Sequence, residues 1–218
     1  MKYEKILAVF KAVLIGLVIL TGAIALPILF RPFFYWHIGP MKLGSDLGLD
    51  LNQVKTVYNE MMDFCIGISQ SFSVGVLPWS RSGMEHFVDV RKLFLLDLWV
   101  LAAASTLLVV MCLCVRKKLS LAGHIPGFWS AVGLGAGFAL VGGLAATDFD
   151  RAFTVFHSLF FPGKENWLFH PQEDPIILLL PQAFFRNCAL LILAGILLSC
   201  GGLVVWDLYK RRQKKRVR

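Results

Sequence analysis

The sequence predicts an all-α membrane protein: four transmembrane helices, both termini in the cytoplasm, and an extracytoplasmic cap formed by two long loops. Three observations predict it. Only 17% of the 218 residues are charged and 57% are hydrophobic, whereas a soluble domain carries about 25% charge. Four apolar windows stand out, at residues 6–30, 93–115, 125–147 and 187–206. Each is long enough to cross a hydrocarbon core of about 30 Å at about 1.5 Å per residue. Finally, the charge is sorted by side. The formal net charge of +8 resolves into +11 on the side holding Lys2, Lys5, Lys11, 116–118 and the KRRQKKRVR tail, −2 on the other, and the −1 of Asp97 within a span. That asymmetry follows the positive-inside rule. It assigns the basic tail to an anionic inner leaflet rather than to nucleic acid.

Taken in order, the first apolar run is too long for a signal-peptide core of about 7–15 residues. Pro27-Ile28-Leu29-Phe30 is no small-residue cleavage site either, so a retained helix is expected. The first outer segment, 31–92, is far longer than a turn requires, and such loops carry structure or function. Within it Leu51, Val54, Val57, Tyr58, Met61 and Met62 recur at helical spacing. They predict an amphipathic helix on the bilayer surface or capping the bundle. Residues 69–79 alternate weakly, which makes them a candidate strand and leaves room for a small sheet in the cap. A further helix is expected to begin near residues 80–83 and to run into the second span.

The second span contains Asp97, a carboxylate whose insertion costs roughly 2.5–3.5 kcal/mol and which therefore seeks a partner; Arg186 and Asn187 are the candidates. A short basic turn at 116–124 closes spans two and three into a hairpin. The third span holds Gly127, Gly133, Gly135, Gly137, Gly142 and Gly143, read as close packing against a neighbouring helix. The second outer segment, 148–186, is rich in aromatic residues and broken by Pro162, Pro171, Pro175 and Pro181. Such a segment packs into the headgroup layer. All of this forms one integral membrane domain over residues 1–218.

Among chemically able residues, five cysteines include no CxxC pair, so neither a thiol redox site nor a zinc cluster is indicated. A Cys65–Cys188 pairing is left open. No nucleophile elbow, HExxH, phosphate loop or dinucleotide fingerprint is present. Of the five histidines, His86 and His157 differ in context. His86 and Asp89 lie three apart at the foot of the second span, hence on one helical face. A carboxylate there can fix the imidazole tautomer. His157 follows Asp148, Asp150 and Arg151 at a similar depth.

The stretch from Phe156-His157 through Phe160-Phe161-Pro162-Gly163 to Asn166-Trp167-Leu-Phe169 continues into Asp174, Ile176-Ile177 and Pro181-x-x-Phe184-Phe185. Together with His86-x-x-Asp89-Val90 it resembles the lipoprotein intramolecular transacylase (Lit) family of Gram-positive bacteria, in size, span layout and loop placement over essentially the whole chain. The resemblance implies an acyltransferase of the bacterial cell membrane, with its active site on the extracytoplasmic face. Its substrate would be a diacylated lipoprotein, whose sn-2 acyl chain moves from the glyceryl group to the α-amine of the same cysteine, giving the lyso form. It implies a catalytic pair at His86 and His157, with Asp89, Asp150 and Arg91 in support. Arg91 stands where the family commonly has lysine, His170 interrupts a usual Phe-Asp-Pro, and Gln182 replaces a usual glutamate.

That chemistry suits the residues. An α-amine with a pKa near 7.7–8.0 needs a base near neutrality, and histidine is one (the values are about those of free groups). Amine and ester share one molecule, so orientation does most of the work and no acyl-enzyme is required. Trp79, Phe160, Phe161 and Trp167 are candidates for contact with acyl chains or membrane lipid. No cofactor, resident metal or nucleic acid is called for, and the sequence sets no oligomeric state. Two other classes compete. One is a metal-dependent membrane lipid hydrolase, with His86, Asp89, His157 and Asp148 or Asp150 as ligands. The other is a non-enzymatic membrane partner protein.

Overall fold

Seven helices carry the chain in the computed structural model, which describes residues 2–115 and 117–216. Two of the basic residues assigned to the cytoplasmic edge, Arg116 and Arg218, lie outside this range. The helices are α1 (Lys2–Leu29), α2 (Pro32–Ile38), α3 (Leu51–Cys65), α4 (Arg81–Cys114), α5 (Pro126–Thr147), α6 (Phe149–Phe160) and α7 (Gln182–Arg216). Four of them, α1, α4, α5 and α7, are long and apolar enough to cross a membrane. Two exceed their apolar windows widely: α4 begins at Arg81 and α7 continues into the basic tail. Helical hydrogen bonding does not stop where hydropathy does.

The chain divides into two compact units. The first takes residues up to Ile24, Leu98–Ala146, and those from Leu191 on. Its interior is small. Ala23, Ala131, Ile196 and Cys200 form one cluster, and Leu14, Ala104 and Met111 another. Large apolar side chains such as Leu113, Leu140 and Leu198 point outward, as lipid-facing residues do, since lipid offers them no penalty. Three of the α5 glycines sit against neighbours. A Cβ at Gly142 would meet Leu193 at 2.6 Å, and ones at Gly127 and Gly135 would touch Leu203 and Cys200. The close packing expected of α5 is thus against α7 at these positions, whereas Gly133, Gly137 and Gly143 face open space.

The 121–124 turn of this unit is fastened by Asp207, which is buried. Its carboxylate accepts from Ile125 N at 2.9 Å and lies 2.7 Å from His124 Nδ1.

The second unit spans Ala25–Asp97 and Thr147–Leu190. The α3 spacing reads as expected. Val54, Val57, Tyr58, Met61 and Met62 are buried, while Leu51 at the first turn stays exposed. Asp50 caps the helix by accepting from Asn52 N and Gln53 N, and Gln53 Oε1 accepts from Asp50 N in return, a reciprocal capping box. Arg31 ties the helix down through Asn59 and Asp63, and Tyr58 stacks on Phe34 with centroids 3.7 Å apart.

Two expectations change here. Residues 69–79 form no strand, and no strand is present among the described residues. Instead Glu60 accepts from Ser73 Oγ at 2.6 Å and Gly75 N at 2.9 Å. With Gly75 at φ 61°, the segment wraps on α3 and its donors go to a side chain rather than to a ladder. Asn187 is not the partner of Asp97: its Nδ2 donates to His37 Nε2 at 2.9 Å, and Asp97 Oδ2 is buried without a hydrogen bond. Cys65 and Cys188 are both free thiols.

Candidate active site

His86 enters the second unit from the first turns of α4, and His157 from the last turn of α6. The start of α4 is fixed from outside. Asp174, buried in the second outer segment, accepts from Ser80 N at 2.7 Å and from Ser80 Oγ at 2.6 Å. Ser80 Oγ in turn accepts from Gly83 N at 2.9 Å. A carboxylate and a hydroxyl at a helix N-terminus satisfy its free amides and suit its dipole. The α6 helix is capped by Asp148, which accepts from Arg151 N at 2.9 Å. The α4 helix is therefore held at the end that carries His86, while α6 is capped at the end opposite His157.

The result brings the two imidazoles together, with ring centroids 5.9 Å apart and both side chains buried. Around them is a cage of aromatic rings. Phe161 lies 5.0 Å and Phe169 5.4 Å from His86, and Trp167 stacks on His157 at 4.5 Å. Phe153 adds a ring at 4.3 Å and a backbone acceptor: His157 Nδ1 donates to its carbonyl at 2.8 Å. That bond fixes the proton on Nδ1 and leaves the Nε2 lone pair open. Burial lowers the His157 pKa, and the Phe153 carbonyl, which favours a protonated Nδ1, opposes this with a smaller effect. His86 Nδ1 is buried and has no hydrogen-bond partner among the described residues, so no bond there repays its desolvation.

The supporting residues fall differently from expectation. Asp89 does share the α4 face with His86, but it does not orient the imidazole. Its carboxylate is gripped by Lys92 at 3.0 Å and by Lys164, because two ammonium groups outbid a neutral ring for a carboxylate. Asp150 is exposed and accepts from Gln182 Nε2 at 2.8 Å. Arg91 reaches back to the first outer segment, donating to Phe64 O at 2.8 Å, Ser69 O at 2.6 Å and Gln70 Oε1 at 3.2 Å. Phe161 and Trp167 line the cage, whereas Trp79 packs on Phe72 and Phe160 on Phe156. Lys164, Phe153 and Phe169 were not foreseen. Phe153, four residues before His157, carried a readable signal in that helical spacing.

The ligand set of a metal-dependent hydrolase does not converge. Asp89 is held by lysines, Asp148 by its capping bond and Asp150 by Gln182. Among the described residues no group of three His, Cys, Asp or Glu side chains gathers to hold a metal. Two open clefts lie among the surrounding residues, neither of them lined by a histidine. One, of about 510 Å³, is lined by Phe161, Lys164 and Trp167 among others; the second, of about 390 Å³, lies over Asp89 and Asn166.

Comparison with known proteins bears on these features. No curated protein sequence matches the chain at a significant level. Among solved structures it is similar to the membrane-integral lipoprotein intramolecular transacylase Lit of Bacillus cereus, at 23% identity and a TM-score of 0.82, covering 97% of this chain and 99% of that one. Two further structures of that protein, with one histidine replaced by arginine or by alanine, match at 22% identity and a TM-score of 0.75. They cover 98% and 97% of this chain, and 95% and 96% of their own. The description of the lipoprotein intramolecular transacylase Lit family matches residues 9–185. The chain is a multi-pass membrane enzyme belonging to the lipoprotein intramolecular transacylase family.

Proposed function

We propose that this enzyme moves the sn-2 acyl chain of a lipoprotein's diacylglyceryl-cysteine onto the α-amine of the same cysteine, using His86 and His157 as its catalytic pair. The observation that carries this reading is the buried pairing of the two imidazoles, 5.9 Å apart, with one tautomer set by Phe153. With Nδ1 protonated, His157 presents Nε2 as the general base. The amine nitrogen attacks the ester carbonyl and its proton passes to His157 Nε2. His86, whose Nδ1 has no partner among the described residues, is left to donate to the developing oxyanion. The C–O bond then breaks, and the imidazolium returns its proton to the glyceryl oxygen. An ester and an amine become an amide and an alcohol, with no cofactor consumed. The aromatic cage keeps water from the tetrahedral centre, so that the amine rather than hydroxide captures the acyl group.

On this reading the termini face the cytoplasm, where the basic edge meets anionic lipid. The histidine pair then faces the outer leaflet, where the lipidated N-terminus of a lipoprotein lies. The test is the mass and fragmentation of a reporter lipopeptide made in a host without other N-acylating enzymes. The expected product is N-acyl, S-monoacylglyceryl cysteine, absent when His86→Ala or His157→Ala is expressed at matched levels. Continued product from both variants would refute the mechanism.

A further inference from the structure

The smaller cleft differs in chemistry from the cage around the histidine pair. Five charged side chains of both signs, Glu85, Asp89, Lys92, Lys164 and Glu165, line it together with the amide of Asn166 and the apolar Val88. Lys164 bridges the two environments: it lines both clefts, lies in the same segment as Phe161 and Trp167, and grips Asp89 one helical turn from His86. Within this wall Asn166 Oδ1 is buried and has no hydrogen-bond partner. An amide oxygen only accepts, so whatever satisfies it must bring an N–H or O–H donor.

The substrate of the proposed reaction has three parts. Acyl chains bring no hydrogen bond to the Asn166 oxygen or to the charged groups whose water they would displace. The glyceryl portion, fully esterified and joined by a thioether, carries acceptors for the lysines but no N–H or O–H for the Asn166 oxygen. The α-amine is engaged at the histidines. What remains is the polypeptide beyond the cysteine, which pairs N–H and C=O in each unit.

We infer that this cleft is a subsite for the substrate's polypeptide, read through its backbone by the Asn166 side-chain amide. The inference rests on the acyl-transfer reading above. Charges of both signs surround the site, so it selects a peptide backbone without selecting the peptide's charge.

The experiment uses the full chain in detergent with two synthetic substrates: S-diacylglyceryl-cysteine methyl ester, which lacks a peptide, and the same group extended by four residues. The lyso product is quantified by mass spectrometry. A third substrate, N-methylated at the first two peptide bonds, removes the N–H donors without any change to the protein. A hydrogen bond made to a buried, otherwise unsatisfied group contributes about 1–2 kcal/mol, or roughly 5–30-fold in kcat/KM. Wild type is expected to prefer the extended substrate by that factor and to lose part of the preference on N-methylation. Asn166→Leu, which keeps the bulk, and Asn166→Ala are both expected to reduce the preference to below about threefold. A wild type without preference, or variants with the preference intact, would overturn the subsite. So would variants slowed equally on both substrates, since the amide would then be shaping the histidine cage. A wild type that makes no lyso product from either substrate would sink the acyl-transfer reading itself.

Discussion

Replacing Gly83 by alanine is expected to destabilise the enzyme, although the same change in an ordinary helix stabilises it. Gly83 lies in the first turn of α4, where alanine is favoured over glycine by about 1 kcal/mol. Its missing side chain is what lets Asp174 reach Ser80. A Cβ there would sit 2.7 Å from the carboxyl carbon and 2.9 Å from Oδ2, and closer still to Oδ1. The carboxylate cannot retreat while accepting from both Ser80 N and Ser80 Oγ. Each hydrogen bond to an ionised acceptor contributes roughly 1.5–3 kcal/mol. Losing both, less the propensity gain, leaves a net cost of about 2–5 kcal/mol and a fall in Tm of roughly 5–20 °C. Activity should fall as well, because the clamp sets where α4 carries His86. Thermal unfolding of the purified protein in detergent, alongside lyso-product yield, measures both effects. In an Asp174→Ala background the obstacle is gone and Gly83→Ala should be neutral or stabilising, a reversal of sign. A single Gly83→Ala variant as stable as wild type would refute the reasoning.

Other outcomes follow from the same geometry. Because burial lowers the His157 pKa, NMR titration of labelled histidines, assigned with His157→Ala, should place its midpoint below about 6.5. Neutral burial of this ring adds stability that is full above the unfolded pKa and is lost as pH falls toward the folded value; a midpoint above 6.5 would contradict this. Burial pushes the Cys65 thiol up to about 12, so a variant keeping only this cysteine should resist maleimide at pH 7.5 until unfolded; rapid labelling of folded protein would count against the burial. Arg91→Ala removes three hydrogen bonds to the 64–70 segment and should cost about 2–4 kcal/mol of stability. Arg91→Lys should keep much of it, and equal Tm values for the two variants would refute the role.

How much of this was legible in the sequence depended on how far apart the interacting residues lie. The spans, the α3 face built on Val54, Val57, Tyr58, Met61 and Met62, and the start of α4 near residue 80 are local patterns, and periodicity or hydropathy exposes them. The histidine pair came from their context and the family resemblance, since nothing local says that the end of α6 meets the start of α4. The role expected for Asp89 failed for a related reason. Spacing of three put it on the His86 face, but Lys164, 75 residues further on, takes the carboxylate. Residues 69–79 misled because weak alternation is only a preference, and Glu60 offered their donors a better acceptor. Asp174 and Gly83 were unreadable as a pair for the same reason of distance.

The Phe153–His157 hydrogen bond has a consequence for electrostatics across the whole reaction coordinate. Many histidine bases are oriented by an ionised carboxylate, which builds a permanent anion next to the reacting atoms. Here the group bonded to His157 Nδ1 is an uncharged carbonyl of its own helix, and the nearby carboxylate of Asp89 is bound by two lysines, whose charges together exceed its own by one. His157 is thus oriented without an anion bonded to its ring. In the proposed transfer the attacking amine is neutral and the products are an amide and an alcohol, so charge separation within that step is confined to the tetrahedral stage. At a low-dielectric boundary, where a standing ion is costly, this arrangement spares the proposed base a permanent anionic partner.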